Sequence, residues 1–277
     1  MLDITDRLYE YFSKGDWNNA RRLLLKQLRK YPNDSSSITR LSYIYLNEGE
    51  YSKALEMSHK AYSINPHDPV VLWDYANALF RNDRFAESIR LFKILMNMSI
   101  NTLSARGYNK NWSNGIQNDC RFWIACGYMH LDKIDLAAKY FRLHLANRRR
   151  GRPTECSIRE AKNFLKSIDS IREKIKNNEL RLWISLIETK PINKQKERNF
   201  KGAFTHGFVM AHSVREVKNK LHKALENKGY KAIAFEDTEE FDKLCLKHEV
   251  DKDLRRIAAK AIRSRTAKFG MFYSWKK

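Results

Sequence analysis

The residues that could do chemistry at neutral pH are a few histidines and cysteines in the last quarter of the chain. His206 and His212 lie in a segment, Ala203 to His212, whose aromatic and β-favouring residues predict a strand. On a straight strand they share a face, with His222 on the helix that follows. General acid or base work needs a partner within hydrogen-bond reach, and no nucleophile, carboxylate pair or metal-ligand spacing accompanies these three. Cys245 and His248 stand three apart on a predicted helix, a separation at which a thiol and a base can meet. Glycine-rich phosphate loops, metalloprotease motifs and nucleophile elbows are absent from the sequence. Cys120, Cys126, Cys156 and Cys245 lack paired metal spacing and are expected as reduced thiols, mostly in the core. The expectation is a non-enzymatic protein with no catalytic residue, no metal and no cofactor; the alternative is chemistry hidden in residues 203–277.

Charge is a second kind of chemistry, and it is unevenly placed. The net charge is +21, yet residues 1–102 hold 14 Lys and Arg against 12 Asp and Glu. Nearly all the excess lies downstream. A field of that sign raises encounter rates with anionic partners of any class. Two clusters concentrate it: Arg148, Arg149, Arg150 and Arg152, then Arg255, Arg256, Lys260, Arg263, Arg265 and Lys268. The second is interleaved with Phe269, Phe272, Tyr273 and Trp275, a pattern that can grip phosphates and stack bases, though no named nucleic-acid motif supports it. Cations at the end of a helix also favour its dipole, so the first cluster reads equally as a solvated helix end.

The elements that must position these groups begin with a repeat. Gly15-Asp16-Trp17-Asn18-Asn19-Ala20 returns as Gly49-Glu50-Tyr51-Ser52-Lys53-Ala54, and the offset of 34 also separates Pro32 from Pro66. A third copy reads Asp83-Arg84-Phe85-Ala86-Glu87-Ser88. A fourth, Asp132-Lys133-Ile134-Asp135-Leu136-Ala137, is delayed by fifteen residues, 103–117. A small residue (Ala20, Ala54, Ser88, Ala137) lets two helices approach, the larger residue three before it plugs the gap above the turn, and proline stops the second helix. Ser99 replaces that proline in the third copy, and insertions of this kind in solenoids sit on one face. Over residues 1–148 the chain resembles the tetratricopeptide repeat family, with units 1–34, 35–68, 69–102 and 118–151. The resemblance implies stacked helix pairs sharing one core.

It also implies a concave groove lined by set positions of each first helix. Carried onto this sequence they are Leu2, Thr5, Tyr9, Phe12, Ser36, Thr39, Tyr43, Leu46, Val70, Trp73, Asn77, Phe80, Asp119, Phe122, Cys126 and Met129. We take Tyr9, Phe12, Tyr43, Leu46, Trp73, Asn77, Phe80, Phe122 and Met129 as its partner-binding residues. An exposed stripe this apolar is costly unless a polypeptide fills it, or unless it is core. The carboxylate clamp of some members is missing here apart from Arg40.

Beyond the repeats, residues 154–189 are expected as two further helices that cap the stack, the second over 179–189, and 190–202 as a linker. Residues 203–277 alternate strand and helix signals and predict a small basic α+β domain. The fold class expected is mainly α, a helical solenoid followed by that domain. The opening residues lack a signal peptide's basic flank and apolar core, and no apolar run reaches the roughly 18 residues a membrane helix needs. The expectation is a cytoplasmic adaptor that binds a protein or peptide, with nucleic acid or another anionic partner at the basic half as the alternative. Oligomeric state is left open.

Overall fold

The structure, a computed structural model, describes residues 4–104, 110–147, 156, 158–192 and 201–275. The chain divides into two compact units, Met1–Asn163 and Phe164–Lys277. The first is built from helix pairs: α1 (Ile4–Ser13) with α2 (Trp17–Lys30), α3 (Ser35–Asn47) with α4 (Tyr51–Ile64), and α5 (Pro69–Arg81) with α6 (Phe85–Asn97). A short α7 (Ile100–Ser104) precedes the fourth pair, α8 (Lys110–His130) with α9 (Ile134–Asn147); α10 (Ile158–Lys176) begins in the first unit and continues into the second.

The turn inside each pair explains why glycine and aspartate recur there. Gly15 and Gly49 have φ of 67° and 78°, and Asp83 and Asp132 hold the same left-handed place at 58° and 57°. Glycine enters that region freely, and aspartate is among the few other residues that tolerate it. Where the helices approach, Ala20, Ala54, Ser88 and Ala137 are all completely buried. Helix starts are fixed by Asp16, Asp34 and Asp68, whose carboxylates accept from the backbone N–H groups of Asn19, Ser36 and Val70. At the third unit's missing proline, Met98 adopts an extended backbone that ends α6, and the Ser99 hydroxyl accepts from Thr102 N at 3.0 Å to begin α7. Within the fifteen-residue insertion, Lys110 to Gln117 are the opening turns of α8.

One expectation fails at residues 179–189. Instead of the second capping helix, Arg181–Pro191 is a strand, β1, followed by β2 (Gly202–Ala211), α11 (Val214–Glu226), β3 (Tyr230–Glu240), α12 (Phe241–Lys247), α13 (Lys252–Ser264), β4 (Lys268–Phe269) and β5 (Tyr273–Trp275). β1 pairs antiparallel with both β2 and β3, and the sheet order is β3-β1-β2-β4 with β5 also on β2. A central strand buried on both faces reads as one apolar run, which periodicity alone does not separate from a buried helix. Residues 190–202 therefore run from the end of one strand into the next, and 193–200 lie outside the described residues. The strands and helices expected over 203–277 form in the order read, but β3 runs on from the expected Tyr230–Phe235 to Glu240, and the last strand is split into β4 and β5.

The sheet is packed on both sides. Trp183, Ile187, Val209 and Ala211 meet Val217, Leu221 and Leu225 of α11 on one face. Leu182, Ile184 and Phe208 meet Phe241, Ala258 and Ala261 of α12 and α13 on the other. Two polar groups inside are satisfied locally: Trp183 Nε1 donates to the Ala211 carbonyl at 3.0 Å and Thr189 Oγ1 to that of Ala203 at 2.9 Å. The Glu240 carboxylate, buried at the end of β3, takes Arg181 at 2.5 Å and Lys243 at 3.3 Å. A carboxylate buried there costs much of its hydration, so the two cations are what make it tolerable.

Candidate interaction groove and basic surface

The nine expected groove residues separate by burial. Tyr9 and Tyr43 reach solvent, at 77% and 44% exposure, while Trp73, Phe122 and Met129 are buried at 8%, 4% and 1%. Phe12, Leu46, Asn77 and Phe80 are half-buried. The reason lies in the rings. Phe12 packs on Trp17 at 5.8 Å between centroids, and both meet Tyr43 of the next unit at about 6 Å. Two repeats later, at the equivalent positions, Phe80 packs on Phe85 at 5.1 Å, and it also packs on Trp123 at 5.0 Å. Trp73 packs on Phe92 at 5.5 Å, and Phe122 on Phe141 at 5.6 Å. The aromatic stripe of the third and fourth units is thus a seam between helices, and for Trp73, Phe122 and Met129 the expectation of an open ligand contact is corrected. Asn77 turns back on its own helix, donating to the Trp73 carbonyl at 2.9 Å.

An open cleft remains between the second and third units. It holds about 290 Å³ and is lined by Ser35, Ser36, Thr39, Arg40, Asp68, Val70 and Val71. Ser36, Thr39 and Val70 are groove positions named from the sequence, and Arg40 is the clamp cation named beside them. Asp68 caps α5, its carboxylate accepting from Val70 N at 2.8 Å. The Thr39 hydroxyl donates to the Ser35 carbonyl at 2.7 Å.

This stacking of helix pairs, with the small residue buried in each turn of the repeat, agrees with a sequence match over residues 45–97 to the tetratricopeptide repeat model. The match runs from the end of α3 through α6. Among solved structures, MamA from Desulfovibrio magneticus RS-1, residues 41 to the end, is similar at 11% identity and a TM-score of 0.47, covering 63% of this chain and 86% of its own. A tetratricopeptide repeat protein from Parabacteroides merdae ATCC 43184 is similar at 18% identity and a TM-score of 0.43, with 63% and 62% covered. No curated protein matches the sequence.

In the second unit the basic residues of α13 and its end lie outward. Arg255, Arg256, Lys260, Arg263 and Arg265 are exposed, and Lys268 is half-buried. Arg256 pairs with Asp253 at 3.2 Å with both side chains about two-thirds exposed, a contact that water and salt leave weak. Arg148, Arg149, Arg150 and Arg152 lie outside the described residues.

The histidines and cysteines do not assemble into a site. His222 pairs with Glu226 at 3.2 Å, and His212 stands just past the end of β2, its N–H donating to Glu216. His206 is half-buried on the sheet, where burial holds its pKa below the usual value. α12 ends at Lys247, so His248 continues in extended backbone and is not on the helix that carries Cys245. Burial raises the Cys245 thiol pKa, leaving little thiolate at neutral pH. Cys120 and Cys126, deep in α8, are raised far more by the same cause. All four cysteines are free thiols, and no three His, Cys, Asp or Glu side chains gather as a metal site among the described residues. No described helix is long and apolar enough to cross a membrane.

Proposed function

We infer that the protein is a scaffold whose repeats hold a polypeptide segment along the face that carries Tyr9, Tyr43 and the Arg40 cleft. A repeat stack offers shape and exposed side chains, and the present one combines two solvent-facing tyrosines with a cleft large enough for about two side chains. Tyrosine supplies large contact area at small entropic cost, and arginine supplies a planar, permanently charged anchor. Together they favour an extended or helical segment that brings an apolar residue and an acidic one. The basic second unit acts as a further docking or effector surface, with charge assisting encounter.

The observation that carries this reading is the cleft between α3 and α5, where three groove positions and Arg40 converge. The test is selection from a random peptide library on the immobilised full chain, with Arg40→Glu as the counter-screen. Enrichment of acidic, aromatic-containing peptides that the variant loses supports the reading; peptides retained equally by the variant contradict it.

A further inference from the structure

The sheet of the second unit has one face that is only partly packed. Side chains of β1 and β2 directed toward α12 and α13 are buried at one end, at Leu182, Ile184 and Phe208. Farther along the same face the burial stops: Leu186, Glu188, Phe204 and His206 are half-buried. Register places Leu186 opposite His206, Glu188 opposite Phe204, and Phe204 opposite Tyr273 of β5. Tyr273 is 61% exposed, so an aromatic ring on this face meets water. Lys190 and Lys231, paired across β1 and β3, are exposed at its far border. At the near border a Cβ built on Gly270 would stand 3.8 Å from both Ile257 of α13 and His206, which sets α13 alongside this half of the sheet. Lys252, Arg256, Lys260 and Arg263 recur on the exposed side of that helix, and residues 252–268 carry seven Lys and Arg against one acid.

We propose that this half-face binds single-stranded RNA, with a base stacked on Tyr273 and phosphates drawn to the α13 cations and to Lys190 and Lys231. A solvent-facing aromatic ring on a unit rich in exposed cations matches a ligand that alternates planar bases with anions, and every base offers a π-face for stacking. An acidic peptide would satisfy the cations alone. A duplex hides its base faces. The carboxylates of Glu188 and Glu236, opposite Phe204 and Leu186, repel phosphate but accept hydrogen bonds, which suits the 2′-hydroxyl that distinguishes RNA from DNA. This site is independent of the ligand held by the repeats.

The experiment is fluorescence anisotropy on the full chain with labelled RNA single strands of about 12 nucleotides, within the footprint of such platforms. DNA of the same sequence and the RNA duplex are measured beside it, across salt from about 50 to 200 mM. Single-stranded RNA is expected to bind tightest. Tyr273→Ala weakens it about tenfold without changing the salt dependence, and Tyr273→Phe restores it. Lys260→Gln with Arg263→Gln lowers the slope of log affinity against log salt by about 0.7 per cation. Tyr273 is mostly exposed, so the fold tolerates both changes. Binding by Tyr273→Ala equal to the unmodified chain, or duplex or DNA bound as well as single-stranded RNA, overturns the proposal.

Discussion

The hydroxyl of Ser88 donates to the carbonyl of Ala76 at 2.8 Å, tying the two helices of the third unit together in the core. One repeat earlier the same two stations are joined in the opposite sense, Ser42 of α3 donating to the carbonyl of Ala54 in α4 at 2.9 Å. The stack needs a small residue on both sides of this contact, and it accepts a hydroxyl on either. Ser88→Ala should therefore cost only about 1 kcal/mol, the net worth of a buried hydrogen bond. Ala54→Leu, which forces methylenes into a filled crossing, should cost more, about 1–3 kcal/mol. Urea denaturation distinguishes them, and a leucine tolerated without loss would mean that the crossing is loose.

The turn position gives a paired test of opposite sign. Gly49→Ala places a Cβ at φ 78° and should destabilise by about 1–2 kcal/mol, although nothing lies within 4 Å to clash with it. Asp83→Gly removes the same strain at φ 58° and should be neutral or stabilising. Chemical denaturation of both checks the prediction; equal losses would show that side-chain contacts, not backbone conformation, decide the position.

Stability should also depend on pH through His144. It is buried in α9 with Nδ1 2.9 Å from the Asn118 carbonyl, to which it donates as the neutral ring, and burial holds its pKa below the ordinary value. The unfolded chain binds the proton more readily, so the native state keeps its full stability above pH of about 6.5 and loses it as pH falls from there toward the depressed value. His206 is shifted in the same direction by burial and adds to the trend. Melting temperatures at pH 7 and 5 should differ less in His144→Gln than in the parent. An unaltered pH slope in that variant would remove His144 from the account.

Thiol reactivity follows burial as well. In the native chain at neutral pH an alkylating agent should modify Cys245 slowly and leave Cys120 and Cys126 intact until urea unfolds the first unit. Mass spectrometry of the labelled peptides reads this directly. Rapid native labelling of Cys245 would reopen a nucleophilic role for it.

The repeat was legible because its requirements are local: a left-handed turn residue, a plug and a small contact at fixed offsets, visible at Gly49, Tyr51 and Ala54. β1 was not. Leu182, Trp183, Leu186 and Ile187 fall at helical steps, while the signal for a strand was the β-favouring run Trp183-Ile184-Ser185-Leu186-Ile187 with apolar residues on both faces. The groove was half legible. Position in the repeat says which way Trp73 and Phe122 point; it cannot say that Phe92 and Phe141 come within ring contact and close over them. The open half-face of the sheet had no sequence signature beyond the alternation around Phe204 and His206, because which half of a face is covered depends on helices distant in sequence.

The most direct test of the scaffold is calorimetric titration of a selected peptide into the full chain and into Arg40→Gln and Tyr43→Ala, with each variant's folded fraction verified. Trp73→Ala serves as the contrast, since emptying that buried site should cost about 3–5 kcal/mol of stability before any ligand is lost. The account predicts that Arg40→Gln and Tyr43→Ala each raise Kd about tenfold, the loss of an interface anchor, with melting temperature unchanged in Arg40→Gln and lowered modestly in Tyr43→Ala, which gives up its ring contacts with Phe12 and Trp17. An unchanged Kd in both would contradict it.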